Sequence, residues 1–273
     1  MAGPYYSLIS GLPELSINDK SLLYDMISYR ELVKDSMAAE DFEMLQILYY
    51  RFDISNFVAI VKELDKPWNE AGNLSKEELE EGIQMPELLP EFFRNFFDTH
   101  DSTWKDLSTK QLKNAVTSSF LDWSRNIPNR FVKKWISFDQ NLKNLLIWLN
   151  ATKFKMDVSE DVLGESHEAE YLRKTGPDDL DLKSWDNAYK EALTHFDNPN
   201  IAVREFVIEE MRWKYLDEIE QDYYFTKERL MAFAVRLQII DRNIRTTEGK
   251  GKERLNKLMT DIQEGYQLPE TFV

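Results

Sequence analysis

The sequence predicts an all-α, multi-helix fold with no significant sheet. Three observations carry this reading. Only 9 glycines and 9 prolines interrupt 273 residues, where average usage gives roughly twice as many glycines. Apolar residues recur at helical spacing, and no Val/Ile/Thr alternation bounded by turn pairs marks a strand. Helix starts are also legible as caps, most clearly Ser-Lys-Glu-Glu at 75–78 and Ser-Thr-Lys-Gln at 108–111. In each, the serine oxygen suits the third amide and the Glu or Gln reaches back.

The expected elements run in order along the chain. A helix near 19–35 precedes a long one near 39–64. A connector containing Pro and Gly spans 66–90, with one short helix behind the Ser75 cap. A helix near 91–98 carries Phe92, Phe93, Phe96 and Phe97 at helical spacing. The Ser108 cap opens a helix near 108–124. The next, near 128–150, puts Phe131, Trp135, Phe138, Leu142, Leu145 and Leu149 on one stripe. A helix near 180–195 ends at His195, where a cation favours the dipole. Asn198 or Asn200 precedes a run near 200–222 with Phe206, Met211, Tyr215 and Ile219 in its stripe. These stripes read as core before they read as exposed anchors. Thr226 caps a helix near 226–246, with Glu228 in its first turn. Gly249 can end that helix, and a last short one is expected near 251–264.

Residues 151–183 have weak periodicity and many acids. The expected organisation is an N-terminal helical lobe (1–150), an acidic connector (151–183) and a C-terminal helical lobe (184–273), or one packed domain. An ordered surface loop with a short helix explains 151–183 equally well.

Composition excludes several function classes. The chain has no cysteine, so disulfides, thiol nucleophiles and Cys-ligated metal sites are impossible. Formal net charge is -15, which repels nucleic-acid phosphates, so no nucleic-acid partner is expected. No apolar run reaches the length of a membrane span. The start lacks a basic n-region and a long apolar h-region, so a cytoplasmic location is expected, with at most a peripheral place at the inner membrane.

Catalytic and cofactor motifs are missing. Gly249 and Gly251 follow a helix, and no Ser or Thr follows Lys250 or Lys252, so this is not a phosphate loop. The Glu165–His167–Glu168–Glu170 cluster is not His-Glu-x-x-His and reads as a solvated acidic loop. His100 and His195 read as helix-end residues. Carboxylates such as Asp178, Asp179 and Asp181 adjoin in a chain with 49 acids, where chance produces such pairs. No catalytic residue, metal or cofactor is therefore expected.

Charge is uneven. Residues 101–150 carry 8 Lys/Arg against 4 Asp/Glu, between acidic blocks at 51–100 (5 against 11) and 151–200 (6 against 12). Solvated faces or internal pairing explain this most simply. A patch for an acidic partner or an anionic membrane surface, with Arg130, Lys133 and Lys134, is the functional alternative.

The stretch 228–255 combines both themes. Leu230, Phe233, Leu237, Ile240 and Ile244 form a heptad-like seam. Arg236, Arg242 and Arg245 lie off it. The segment "RNIRTTEGKGKERL", Arg242 to Leu255, resembles the last helix of the C-subunit family of V/A-type ATPases (the d-subunit family in eukaryotes), which shows an Asn-Leu/Ile-Arg element followed by Gly-Lys. Asn243, Ile244, Arg245, Gly249 and Lys250 match. "YYFTKERLMAFAVRLQII" is similar to that family's helix entry. The N-terminal "PYYSLISGLPELS", Pro4 to Ser16, resembles a bacterial family of uncharacterised proteins encoded beside V-type ATPase genes. Ile240 departs from the pattern, standing where an acid is expected, as does Thr246-Thr247-Glu248 in place of an apolar stretch. The resemblance implies an all-helical, non-catalytic adaptor that seats the central stalk on the membrane ring of an ion-translocating ATPase. Its partners would be stalk and ring proteins of that ATPase, with Arg236, Arg242, Asn243, Arg245 and Lys250 in the contact. The competing classes are a helical enzyme or ligand-binding protein with an aromatic-lined pocket, and a general helical scaffold.

Overall fold

Both predicted capping boxes form. In the structure, a computed structural model that describes residues 4–155, 160–176, 180–181, 185 and 187–265, Ser75 Oγ accepts from the Glu78 amide (3.1 Å) and Glu78 Oε2 accepts from the Ser75 amide (2.7 Å). Ser108 and Gln111 repeat the exchange at 3.3 and 3.1 Å. Such caps satisfy amides that a helix start leaves without intrahelical partners.

The helices are α1 (Tyr6–Ser10), α2 (Met26–Lys34), α3 (Ala39–Gln46), α4 (Tyr50–Val61), α5 (Lys76–Gln84), α6 (Glu91–His100), α7 (Thr109–Ser124), α8 (Arg130–Phe154), α9 (His167–Lys174), α10 (Asn187–His195), α11 (Ile201–Glu220) and α12 (Lys227–Gly265). No strand occurs among the described residues, and none of their helices is long and apolar enough to cross a membrane. The fold is all-α.

Several boundaries differ from the expectation for local reasons. The helix expected from 19 begins at Met26, because Asp25 Oδ1 accepts from the amides of Ile27 and Ser28 (3.0 and 2.7 Å) and sets the start there. The long helix expected over 39–64 tightens into a 3-10 turn at Ile47–Tyr49, whose three side chains are all buried. The two last helices are one: α12 runs through Gly249 and Gly251 without a stop. Glycine costs a helix interior only about 1 kcal/mol relative to Ala, and the Lys, Glu and Arg around these two are strong helix formers. Side chains of α12 are described as far as Thr246.

Within the stretch expected to connect two lobes, residues 160–174 are packed. Val162, Ala169 and Leu172 are buried. The Asn144 side chain accepts from the Leu163 amide and donates to its carbonyl (3.0 and 2.7 Å). Arg173 donates twice to the Val162 carbonyl. His167, read from sequence as part of a solvated acidic loop, is instead the first residue of α9, because Ser166 Oγ caps the Ala169 amide at 3.1 Å. Residues 156–159, 177–179 and 182–184, including Asp178 and Asp179, lie outside the described residues.

The aromatic stripes face inward. Phe92, Phe93, Phe96 and Phe97 of α6 are buried, as are all six stripe residues of α8. Phe57 of α4 meets Phe93, Phe96 and Phe97 with ring centroids 5.1–5.9 Å apart, in the tilted and edge-on arrangements that aromatic quadrupoles favour. On α11, Met211 and Ile219 are buried and Tyr215 stacks on Phe138 at 3.7 Å, whereas Phe206 is exposed and leaves the stripe.

Helix α12 sits deepest. Residues 230–240 are buried at every position, on all sides of the helix. A helix apolar on more than one face requires neighbours all round, and α2, α3, α8 and α11 supply them. The N-terminal segment packs against the same helix's start. Tyr5 Oη donates to Asp41 Oδ2 (2.5 Å), Lys227 Nζ binds the other oxygen of Asp41 (2.6 Å), and the Tyr6 ring lies 4.7 Å from Phe225.

One buried carboxylate ties α4 to the following loop. Asp53 is fully buried and accepts from the Leu74 amide (2.9 Å) and the Asn73 side chain (3.0 Å). A Cβ on Gly72 would stand 2.6 Å from Asp53 Oδ1, so this position has room only for glycine. Burial raises the Asp53 pKa from 3.8 to about 6, against the lowering effect of its amide donors and of Arg30. Between those values the folded chain binds more proton than the unfolded one. The contribution of Asp53 to stability is therefore greatest below the unfolded value and declines, by up to about 3 kcal/mol, as pH rises to about 6. A carboxyl NMR titration should place its midpoint near 6; a midpoint at or below 3.8 would mean that the donors outweigh burial.

Candidate functional site

Helices α4, α7 and α8, with residues 161–163, enclose a solvent-open cavity of about 720 Å³. Its wall carries four cations, Arg51, Lys110, Lys113 and Lys143, and two carboxylates, Asp139 and Asp161. Lys110 pairs with Asp161 (2.5 Å) and Lys143 with Asp139 (2.6 Å). Behind the wall the chain of charges continues from α8 through α11 to α12. Arg212 bridges Asp139 (2.7 Å) and Glu209 (2.8 Å), and Arg242 binds the same Glu209 oxygen (2.5 Å). The other Glu209 oxygen is buried without a hydrogen-bond partner among the described residues.

This cluster sets four cations (Arg51, Lys143, Arg212, Arg242) against two carboxylates (Asp139, Glu209). Burial alone would raise the Asp139 carboxyl, but Lys143, Arg212 and Arg51 together hold it well below the usual range. Arg51 feels the reverse. Although Arg51 is exposed, desolvation by the surrounding helices, then repulsion from Arg242 and Arg212, lower its pKa against the attraction of Asp139 and Glu209. A guanidinium stays charged at neutral pH regardless. Arg51 is exposed and lines the cavity. It makes no hydrogen bond or ion pair with a described residue; its guanidinium lies over the Phe52 ring at 5.1 Å.

The residues expected to contact a partner divide into separate groups. Arg236 is buried, 8% exposed, because Glu220 and Asp217 of α11 grip its guanidinium and Trp213 lies beneath it. Its guanidinium is engaged in ion pairs within the chain, so it differs from the exposed cations expected in the same contact. Arg242 is half-buried against Glu209 and belongs to the cluster behind the cavity. Asn243 is partly buried. Arg245 is exposed and, among the described residues, pairs with Asp241 one turn back. The side chain of Lys250 lies outside the described residues. Arg130, Lys133 and Lys134 are exposed in the first two turns of α8. That end of α8 adjoins the start of α12, where Asn129 donates to Glu228 (2.8 Å). Arg245 stands 17 residues further along α12 than Glu228, about 25 Å at 1.5 Å per residue. The basic residues therefore form no single patch.

Among the histidines, His100 closes α6 with Nδ1 3.0 Å from the Phe96 carbonyl, and His195 closes α10. No group of three His, Asp or Glu that could hold a metal occurs among the described residues. Sequence reading missed the cavity and Arg51. Its one available signal was the surplus of cations at 101–150, which supplies Lys110, Lys113 and Lys143.

The family described as "Protein of unknown function (DUF2764)" matches residues 1–266. The chain belongs to this family. The match covers both the packed N-terminal segment and the whole of α12, so the family spans the core and the cavity alike. An uncharacterized protein of Chlamydia muridarum (strain MoPn / Nigg) is 24% identical over 274 residues, covering 95% of this chain and 98% of the relative. No solved structure matches.

Proposed function

We propose that the chain is a non-catalytic adaptor that seats the central stalk on the membrane ring of a V/A-type ion-translocating ATPase. The observation that supports it most is the placing of two of the three segments that carry the sequence resemblance. Pro4–Ser16 and the opening of α12 lie side by side, joined by Tyr5, Asp41 and Lys227 and by the Tyr6–Phe225 ring contact. The start of α8 borders them and offers Arg130, Lys133 and Lys134, exposed and without an ion pair among the described residues, to an acidic partner. Cations in the first turns of a helix oppose its dipole, so they do not serve α8 itself.

The test is co-purification of the tagged chain with ATPase stalk and ring proteins from membranes of the organism that encodes it. Reversing Arg130, Lys133 and Lys134 to Glu should leave the chain folded and lower capture about tenfold, with the difference shrinking at high salt. Wild-type chain that brings down no ATPase component would end the adaptor reading.

A further inference from the structure

We infer that the cavity between α4, α7 and α8 binds a small organic anion, a carboxylate or phosphate carried on an apolar body. The pairing of charges leaves a surplus on its wall. Lys110 and Lys143 are matched by Asp161 and Asp139. Arg51 and Lys113 have no carboxylate among the described residues. Immediately behind, Asp139 is shared with Arg212, and Glu209 is shared by Arg212 and Arg242, so the second layer adds positive charge and no spare anion.

A net charge of -15 makes such a concentration of cations a local feature against an acidic background. Concave walls of low dielectric focus a field of one sign and raise the local concentration of the opposite ion. A guanidinium free of protein acceptors presents its fork of donors to a carboxylate or phosphate in two parallel hydrogen bonds. Much of the remaining wall is apolar, with Phe52, Trp135 and Ile147 among its residues, and Ser55, Asn69, Asn114, Thr117 and Gln140 add neutral polar groups. The volume falls in the range of small-molecule sites, whose usual make-up is an apolar lining with a few placed polar groups. An anion on Arg51 would also relieve the repulsion that Arg51 now feels from Arg212 and Arg242. This assignment does not depend on the adaptor reading, because its measurements need only the isolated chain.

The experiment is calorimetric and thermal-shift titration of the full chain at low ionic strength with phenyl phosphate, inorganic phosphate and phenol. Phenyl phosphate should bind and raise the melting temperature with concentration. Inorganic phosphate should bind more weakly, and phenol should not bind measurably. Arg51→Gln should weaken phenyl phosphate binding about ten- to a hundredfold, the loss of one or two charge-assisted hydrogen bonds. Without ligand, that variant should melt within a few degrees of the wild type, since Arg51 makes no ion pair with a described residue and its attraction to Asp139 and Glu209 is opposed by repulsion from Arg242 and Arg212. Lys76→Gln, an exposed residue of α5 that does not line the cavity, should bind as wild type does. Failure of wild type to bind either phosphate compound would overturn the proposal, as would unchanged binding by Arg51→Gln. A ligand-free Arg51→Gln that melts several degrees lower, or does not fold, would make Arg51 structural and also overturn it. Equal affinity for phosphate and phenyl phosphate would overturn the assignment to an organic anion.

Discussion

Replacing Arg212 by alanine should destabilise the chain by about 3–5 kcal/mol. The Arg212 side chain is 7% exposed and its partners Asp139 and Glu209 are 12% and 7% exposed. Removing the guanidinium leaves two desolvated carboxylates, Asp139 with its ion pair to Lys143 and Glu209 with its ion pair to Arg242. The cost is that of burying imperfectly paired charge, which exceeds the net worth of the intact bridge. Urea denaturation of both proteins measures it. A loss under about 1 kcal/mol, the range of exposed pairs, would show that water reaches these groups freely. The pH dependence gives a second readout. Asp139 has a folded pKa well below its ordinary 3.8, so its stabilisation is present above 3.8 and lost as pH falls through the folded value. Without Arg212 the folded value rises toward the ordinary one, and acid sensitivity should begin at higher pH.

Ile240→Ala should cost about 2–5 kcal/mol, whereas Arg245→Glu, five residues on, should change stability by no more than about 0.5 kcal/mol. Ile240 is fully buried where α12 is surrounded, so truncation removes apolar contact and leaves a cavity that rigid neighbours cannot close. Arg245 has a 68% exposed side chain and pairs with Asp241. Reversal places a like charge one turn from Asp241, a penalty of about 0.2–0.5 kcal/mol. Thermal melts of the two variants separate the cases: equal melting temperatures would mean that residues 240–245 share one environment.

The contrast between these arginines marks the limit of what spacing along the chain can say. Arg236, Arg242 and Arg245 look alike beside the Leu230–Ile244 seam, yet one is buried, one half-buried and one exposed. The partners that separate them, Glu220, Asp217 and Glu209, lie 16, 19 and 33 residues away, and each is on α11. A seam of period 3.5 implies one buried face; burial at every position from 230 to 240 comes from neighbours that the local pattern does not contain.

The sequence by itself determined the all-α class, the capping boxes at Ser75 and Ser108, and the inward stripes of α6 and α8. Each of these is set by interactions within about one or two turns of the backbone, so its cause lies in adjacent residues. Tertiary structure alone decided which cations are spent in ion pairs and which remain. Arg51 gives no sign in the sequence of facing a cavity, because its surroundings come from α7, α8, α11 and α12. Charge pairing acts through space over several ångströms, whereas helix formation acts along the chain. The same 34 basic residues could serve many surfaces, and only the packing of α11 against α8 and α12 assigns Arg212, Arg236 and Arg242 to the interior and leaves Arg51 facing the cavity.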